Sequence, residues 1–334
     1  MKRFLNTRVV AAIASVALVA GVHSINASAQ SVQSADFPVR SPKILVPFPP
    51  GGAADTFARL AAQRLSELQR TQWLVENRTG AGGIIAIEAT TKAPADGYNY
   101  LIVTVGHAVN PSLYAKLPYD TLNDLASVAM IANVPSMLVV HPSVPASNLR
   151  ELVALAKAKP GQLKYASSGN ATTSHMAAAL MNAMAGTDML HIPYKGASPA
   201  VQDLVAGRVE VMLDPVVSSG SFVKQGRLKA LAVTTAKRTS LLPDLPTMAE
   251  AGLPGYEFNA WFLLVAPAKT PPAIIARVNA DIAKLASQSD YRDKMAGLGA
   301  EPATALTPAQ VGVFSSAEAQ RWGKVVREAN IKAE

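Results

Sequence analysis

The sequence predicts an α/β fold in two lobes, and three observations carry that reading. Short strand-like runs alternate with longer amphipathic stretches, beginning with 43–47 and 54–68, an alternation that implies parallel βαβ units. The junctions are small and polar, among them Pro49-Pro50-Gly51-Gly52, Gly80-Ala81-Gly82-Gly83 and Ser168-Gly169-Asn170. The same order of strand, turn and helix recurs in two successive blocks. Composition agrees. A chain of 334 residues with 49% hydrophobic and 16% charged residues buries enough surface for about two ordinary domains. With 0 cysteines it has no disulfide framework, thiolate metal site or cysteine nucleophile. At 6% aromatic content, and without a Lys/Arg cluster, it has no surface suited to nucleic acid. The balance of 31 basic and 23 acidic residues gives +8, compatible with an anionic small ligand and equally with ordinary solubility.

Part of that charge belongs to a targeting segment. Lys2, Arg3 and Arg8 precede the apolar run 9–22, and Ala27-Ser28-Ala29 supplies a small-x-small site. This predicts a secretory signal peptide over 1–29, cut after Ala29. The run is shorter than the ~20 residues that span a bilayer, and an uncleaved anchor is the alternative. A secreted or periplasmic protein is expected.

The elements follow in order. Residues 30–41 read as a loose leader. Strand 43–47 stops at Pro49-Pro50, and helix 54–68 places Phe57, Leu60, Ala61, Leu65 and Leu68 on one face. Strand 73–76 precedes the glycine run that opens a helix ending near Lys92. Asp96-Gly97 is a turn before strand 100–105. Strand 136–140 ends at His141-Pro142, and helix 149–158 at Pro160-Gly161. Strand 164–167, helix 174–185, strand 189–192 and helix 199–206 follow, then strands 209–213, 228–233 and 262–265. Helices 272–286 and 309–329 close the chain. In such sheets ligands sit beyond the carboxyl ends of the strands, at helix N-termini.

Four constellations fall at such places. In Phe48-Pro49-Pro50-Gly51-Gly52 a strand end, two glycines and a helix start present unpaired backbone N–H groups, a carboxylate or phosphate site without a charged side chain. A tight turn accounts for the same residues. Asp55, in the first helical turn, either stabilises the helix start or receives a ligand amine or hydroxyl. Gly80, Ala81, Gly82 and Gly83 allow close backbone approach, but Ile85 stands where a dinucleotide loop needs glycine. Gly169, Asn170, Ala171, Thr172, Thr173, Ser174 and His175, with Ser167 and Ser168 before them, carry more hydroxyls than one helix cap needs and suggest a ligand-facing loop. Tyr194, Lys195 and Gly196 follow one strand directly and Asp214 ends another. Trp261 is either a cleft wall or core.

Catalysis finds little support. Gly196-Ala197-Ser198-Pro199-Ala200 misses the nucleophile-elbow pattern at its last position, and Pro199 lacks the N–H that an oxyanion hole needs. The histidines, His23, His107, His141, His175 and His191, form no metal-binding spacing. No catalytic residue, metal or cofactor is expected. A secreted serine hydrolase using Ser198, or Ser174 with His175, is the competing enzymatic reading.

The motifs together resemble the extracytoplasmic solute receptors of tripartite tricarboxylate transporters, the Bug receptor family. The resemblance rests on PFPPGGAAD (47–55), VENRTGAGG (75–83), KAPADGYNYL (92–101), NPSLYAKLPYD (110–120), HIPYKGASPAVQDLVAGRVEVMLD (191–214), LPTMAEAGLPGYE (245–257) and WFLLVAPAKTPPAII (261–275). Leu263 is a departure, standing where similar receptors often carry glycine. The resemblance implies a periplasmic binding protein of type II, a Venus flytrap with its ligand cleft between the lobes. Lobe one would be 36–137 plus 262–334, and lobe two 138–261. It further implies a monomer that binds a dicarboxylate, tricarboxylate or aromatic acid through backbone amides and water, and membrane permease subunits as partners. A receptor that signals instead of feeding a permease fits the same motifs. Phe48 to Gly52, Asp55, Gly80 to Gly83, Gly169 to His175, Tyr194 to Gly196 and Asp214 are the ligand-binding residues expected.

Overall fold

The computed structural model describes residues 36–301, 305–328 and 331, so the expected signal peptide and its cut site lie outside the described residues. Strand β1 (Lys43–Val46) is buried along KILV and pairs in parallel with β2 (Leu74–Asn77) and β3 (Asn99–Val103). Strand β5 (Lys164–Ser167) likewise pairs in parallel with β6 (Leu190–Pro193) and β7 (Val211–Pro215). These flanks match the expected βαβ units. The centre does not, because β4 (Leu125–Val140) and β9 (Asn259–Pro267) are antiparallel to each other and to their outer neighbours. One of them carries the chain out of the first block and the other carries it back, so they run in opposite directions. With β8 (Lys229–Val233) beside β4, the order is β2-β1-β3-β9-β4-β7-β5-β6. Strand β4 changes partner midway: Pro135 registers with Asn259 of β9, and Ser136 with Pro215 of β7.

Helices cover both faces. Helix α1 (Ala53–Gln69) buries Phe57, Leu60, Ala61 and Leu65, and the Phe57 ring centroid lies 5.2 Å from that of Phe262. The three-residue 3-10 turn Ala81–Gly83 leads into α2 (Ile84–Thr91). Helices α3 (Val105–Leu113), α4 (Leu149–Ala158), α5 (Thr173–Ala185), α6 (Ala197–Val205), α7 (Val216–Lys224), α8 (Pro272–Ser287), α9 (Ser289–Gly297) and α10 (Pro308–Glu328) complete the described residues. Asn148 caps α4, accepting from the Glu151 amide at 3.0 Å. Helices α3, α7 and α9, and the first eleven residues of β4, have no counterpart in the sequence-based expectation.

Trp261 belongs to the core. Its Nε1 donates to Glu318 Oε2 at 2.7 Å, and Trp322 Nε1 donates to the same oxygen at 3.1 Å. Leu263 is fully buried in β9, registered with Val103 and Met130, so this departure is absorbed by packing. No helix of the described residues is long and apolar enough to cross a membrane.

Candidate functional site

Loops from the carboxyl ends of β1, β2, β5 and β6 converge on two adjoining spaces. The outer one, about 400 Å³, is lined by residues 47–49, 79–83, 168–170, Thr172 and 194–196. The inner one is a chamber of about 40 Å³ walled by Phe48, Pro49, Gly52, Ala53, Ala54, Thr104, Ser168, Thr172, Thr173, Gly196, Ala197, Asp214, Pro215, Ser218 and Phe262. Phe48, Pro49, Ser168, Thr172 and Gly196 line both. A combined space of this size suits a small organic molecule.

Glycine lets the two sides of this cleft approach. A Cβ at Gly82, whose φ is +61°, would lie 3.2 Å from the Asn170 carbonyl oxygen, and one at Gly196 would lie 3.1 Å from the Pro49 ring. Residues before β4's partner change thus touch residues after it on both sides of the cavity.

Helix starts, and no cationic side chain among the described wall residues, set the electrostatics of the inner chamber. The first turns of α1, α5, α6 and α7 all supply wall residues, and no N-cap side chain accepts a first-turn amide in any of the four helices. Uncapped first-turn N–H groups and the positive ends of the helix dipoles favour an anion there. Asp214 is the exception in sign. It is 1% exposed, and its Oδ2 has no hydrogen-bond partner among the described residues. Burial pushes its carboxyl up to about 7; the Ser219 and Ser218 hydroxyls pull the other way, although neither reaches hydrogen-bonding geometry with any partner.

The structure brings most of the expected site residues together. Phe48, Pro49, Gly52, Gly80, Ala81, Gly82, Gly83, Gly169, Asn170, Thr172, Thr173, Tyr194, Lys195, Gly196 and Asp214 all line one or both spaces. Pro50, Gly51, Asp55, Ala171, Ser174 and His175 do not. The Gly51 amide is spent inside its own loop, donating to Asp55 Oδ2 at 3.0 Å. Asp55 also accepts from Arg59 Nε at 3.0 Å and from Asn77 Nδ2 at 2.9 Å. Burial would raise its pKa, but these hydrogen bonds outweigh it and hold the carboxyl below its ordinary value. Ser174 Oγ accepts from the Ser168 amide at 2.8 Å and lies 3.0 Å from Ser168 Oγ, so it braces the loop from behind. His175 Nδ1 accepts from the Ala171 amide at 3.1 Å, and its ring stacks on His191 at 4.2 Å. His191 Nε2 lies 2.6 Å from Ser167 Oγ. Tyr194 keeps its ring on the outer cavity but donates its hydroxyl to Asp203 at 2.8 Å. Ser168, part of the expected hydroxyl-rich loop, lines both spaces, and Thr104 and Ser218 are wall residues that the sequence-based expectation omitted. Thr104 directly follows β3, so the strand-end rule would have found it.

The model describing tripartite tricarboxylate transporter family receptors matches residues 57–331. The chain belongs to that family. Among solved structures, R. palustris Rpa4515 with adipate is 38% identical with a TM-score of 0.86, covering 89% of this chain and 99% of that one. The periplasmic binding protein BugD is 29% identical with a TM-score of 0.84, covering 89% and 100%. MatC from Rhodopseudomonas palustris, with bound malate, is 32% identical with a TM-score of 0.82, covering 87% and 100%. The receptor therefore has the two-lobed α/β fold of periplasmic solute-binding proteins, with its cavity where the strand ends of the two halves meet.

Proposed function

We propose that this receptor is a non-enzymatic, monomeric periplasmic protein, released by cleavage after Ala29, that closes on a small carboxylate and delivers it to the membrane permease subunits of a tripartite tricarboxylate transporter. Its lobes are 36–137 with 262–334, and 138–261, and the partner change of β4 between Pro135 and Ser136 supports a division close to these limits. The observation that carries the reading is the convergence of four uncapped helix starts on one cavity. Adipate in Rpa4515 and malate in MatC point to the same ligand class. A role without turnover is supported by the hydroxyls near the cavity. Ser174 engages Ser168 and Thr172, and Ser198 is followed by a proline. The test is a thermal-shift screen of mono-, di- and tricarboxylates. A ligand at about a hundred times its Kd adds roughly 2.7 kcal/mol to stability, and the ligand should be recovered chemically unchanged. No shift with any carboxylate, or a transformed product, contradicts the proposal.

A further inference from the structure

We propose that the ligand's leading carboxylate enters the inner chamber and is held there by a proton shared with Asp214, so that binding takes up one proton from solvent. The inference rests on the receptor reading above and specifies how its site is anchored and regulated.

The chamber's size, charge and one unsatisfied group point the same way. About 40 Å³ has room for roughly three water-sized groups, which suits a carboxyl head; the rest of the ligand would occupy the outer space. Four helix starts make the chamber favourable for an anion and unfavourable for an ammonium. Yet among the described residues the only titratable wall residue is an acid, fully buried, with Oδ2 lacking a partner. Two ionised carboxylates side by side repel each other even at helix starts, and one proton between them removes the repulsion.

The surroundings leave Asp214 to do this alone. On β4 its register partner is Met137, which is apolar. Helix α7 offers Ser218 and Ser219, with Lys224 in its last turn. In the first turn of α5, His175 is engaged by the Ala171 amide and the His191 ring. Tyr194 and Lys195 face the outer cavity, and Asp55 is held by Arg59, Asn77 and Gly51. Burial already places the free Asp214 carboxyl near 7, and a bound anion raises it further. The sign follows: the protonated form binds, so affinity is greatest below that value and falls about tenfold per pH unit above it.

The probe is the tightest binder among succinate, glutarate, adipate, malate and benzoate. Calorimetric titration between about pH 6 and about pH 9, repeated in buffers of different ionisation heat, reads both affinity and proton uptake. The expected result is uptake approaching one proton per ligand at the alkaline end, with affinity falling about fiftyfold between about pH 7 and about pH 9. In Asp214→Asn the buffer-dependent heat should vanish and the affinity, whatever its value, should stay level with pH. Binding by the wild type without proton uptake overturns the inference while leaving the receptor reading intact, and so does a pH dependence that persists in the variant. Failure of every carboxylate to bind at any pH overturns both.

Discussion

Asn77 Nδ2 donates to Asp55 Oδ1 at 2.9 Å, and the same nitrogen donates to the Phe48 carbonyl at 2.9 Å. One side chain at the end of β2 thereby fixes both the loop after β1 and the first turn of α1. The loop carries cavity walls, so its rigidity is part of the binding site although Asn77 does not line the cavity. Asn77→Ala is expected to weaken ligand binding about tenfold, or ~1.4 kcal/mol, and to cost about 1–3 kcal/mol of stability by leaving polar groups unpaired. Titration calorimetry and urea unfolding read the two effects. Unchanged affinity in the folded variant would show that the loop holds itself.

Acid should release the same loop. Asp55 titrates below its ordinary value of 3.8 in the folded protein, so its stabilising contribution is present above the unfolded value and lost as pH falls through the folded one. Asp55→Asn should therefore be less stable than wild type near neutrality, and the gap should close progressively below about pH 4. Urea unfolding at stepped pH measures this. A gap independent of pH would mean that the Asp55 charge contributes nothing.

Gly106 offers a clean wedge. A Cβ there would meet the Ala171 carbonyl oxygen at 3.0 Å, across the proposed lobe division. Gly106 lies in α3, where alanine is the better helix former by about 1 kcal/mol. Gly106→Ala should keep or raise thermal stability while weakening binding at least about tenfold, and small-angle scattering should show less compaction with ligand. Wild-type affinity in this variant would mean that the two sides do not close on each other here.

Much of this was legible in the sequence because its signals were local. The glycines from Gly80 to Gly83 announced close backbone approach, and amphipathic spacing located α1, α4 and α8 nearly to the residue. What was hidden depended on tertiary pairing. Strand β4 contains Pro135, and three alanines with Ser127 dilute its first half, which weakens the strand signature until β9 pairs with it. Helix α3 holds Gly106 and Pro111, and α7 follows Pro215 and holds Ser218, Ser219 and Gly220, so both look like turns. The site residues were over-read for a related reason. Ser174, His175 and Asp55 belong to polar clusters that sequence cannot divide into those facing a ligand and those bracing the loop. The structure makes the division through the Ser168 amide, the Ala171 amide and Asn77.

The core around Trp261 supplies a control. Glu318 Oε2 accepts from both buried indoles, so Glu318→Ala should cost roughly 2–4 kcal/mol by leaving two N–H groups without an acceptor. Ligand affinity should stay within about twofold, under 0.5 kcal/mol. A large loss of affinity with little loss of stability would move Trp261 from the core to the cleft.

The most direct measurement is a crystal structure of the mature receptor with its tightest carboxylate. The expected result is a carboxyl group in the inner chamber, within hydrogen-bonding distance of first-turn amides of α1 on one side and of α5 or α6 on the other, with the ligand intact. A carboxylate bound outside the cleft, or touching only one side of it, would contradict the account.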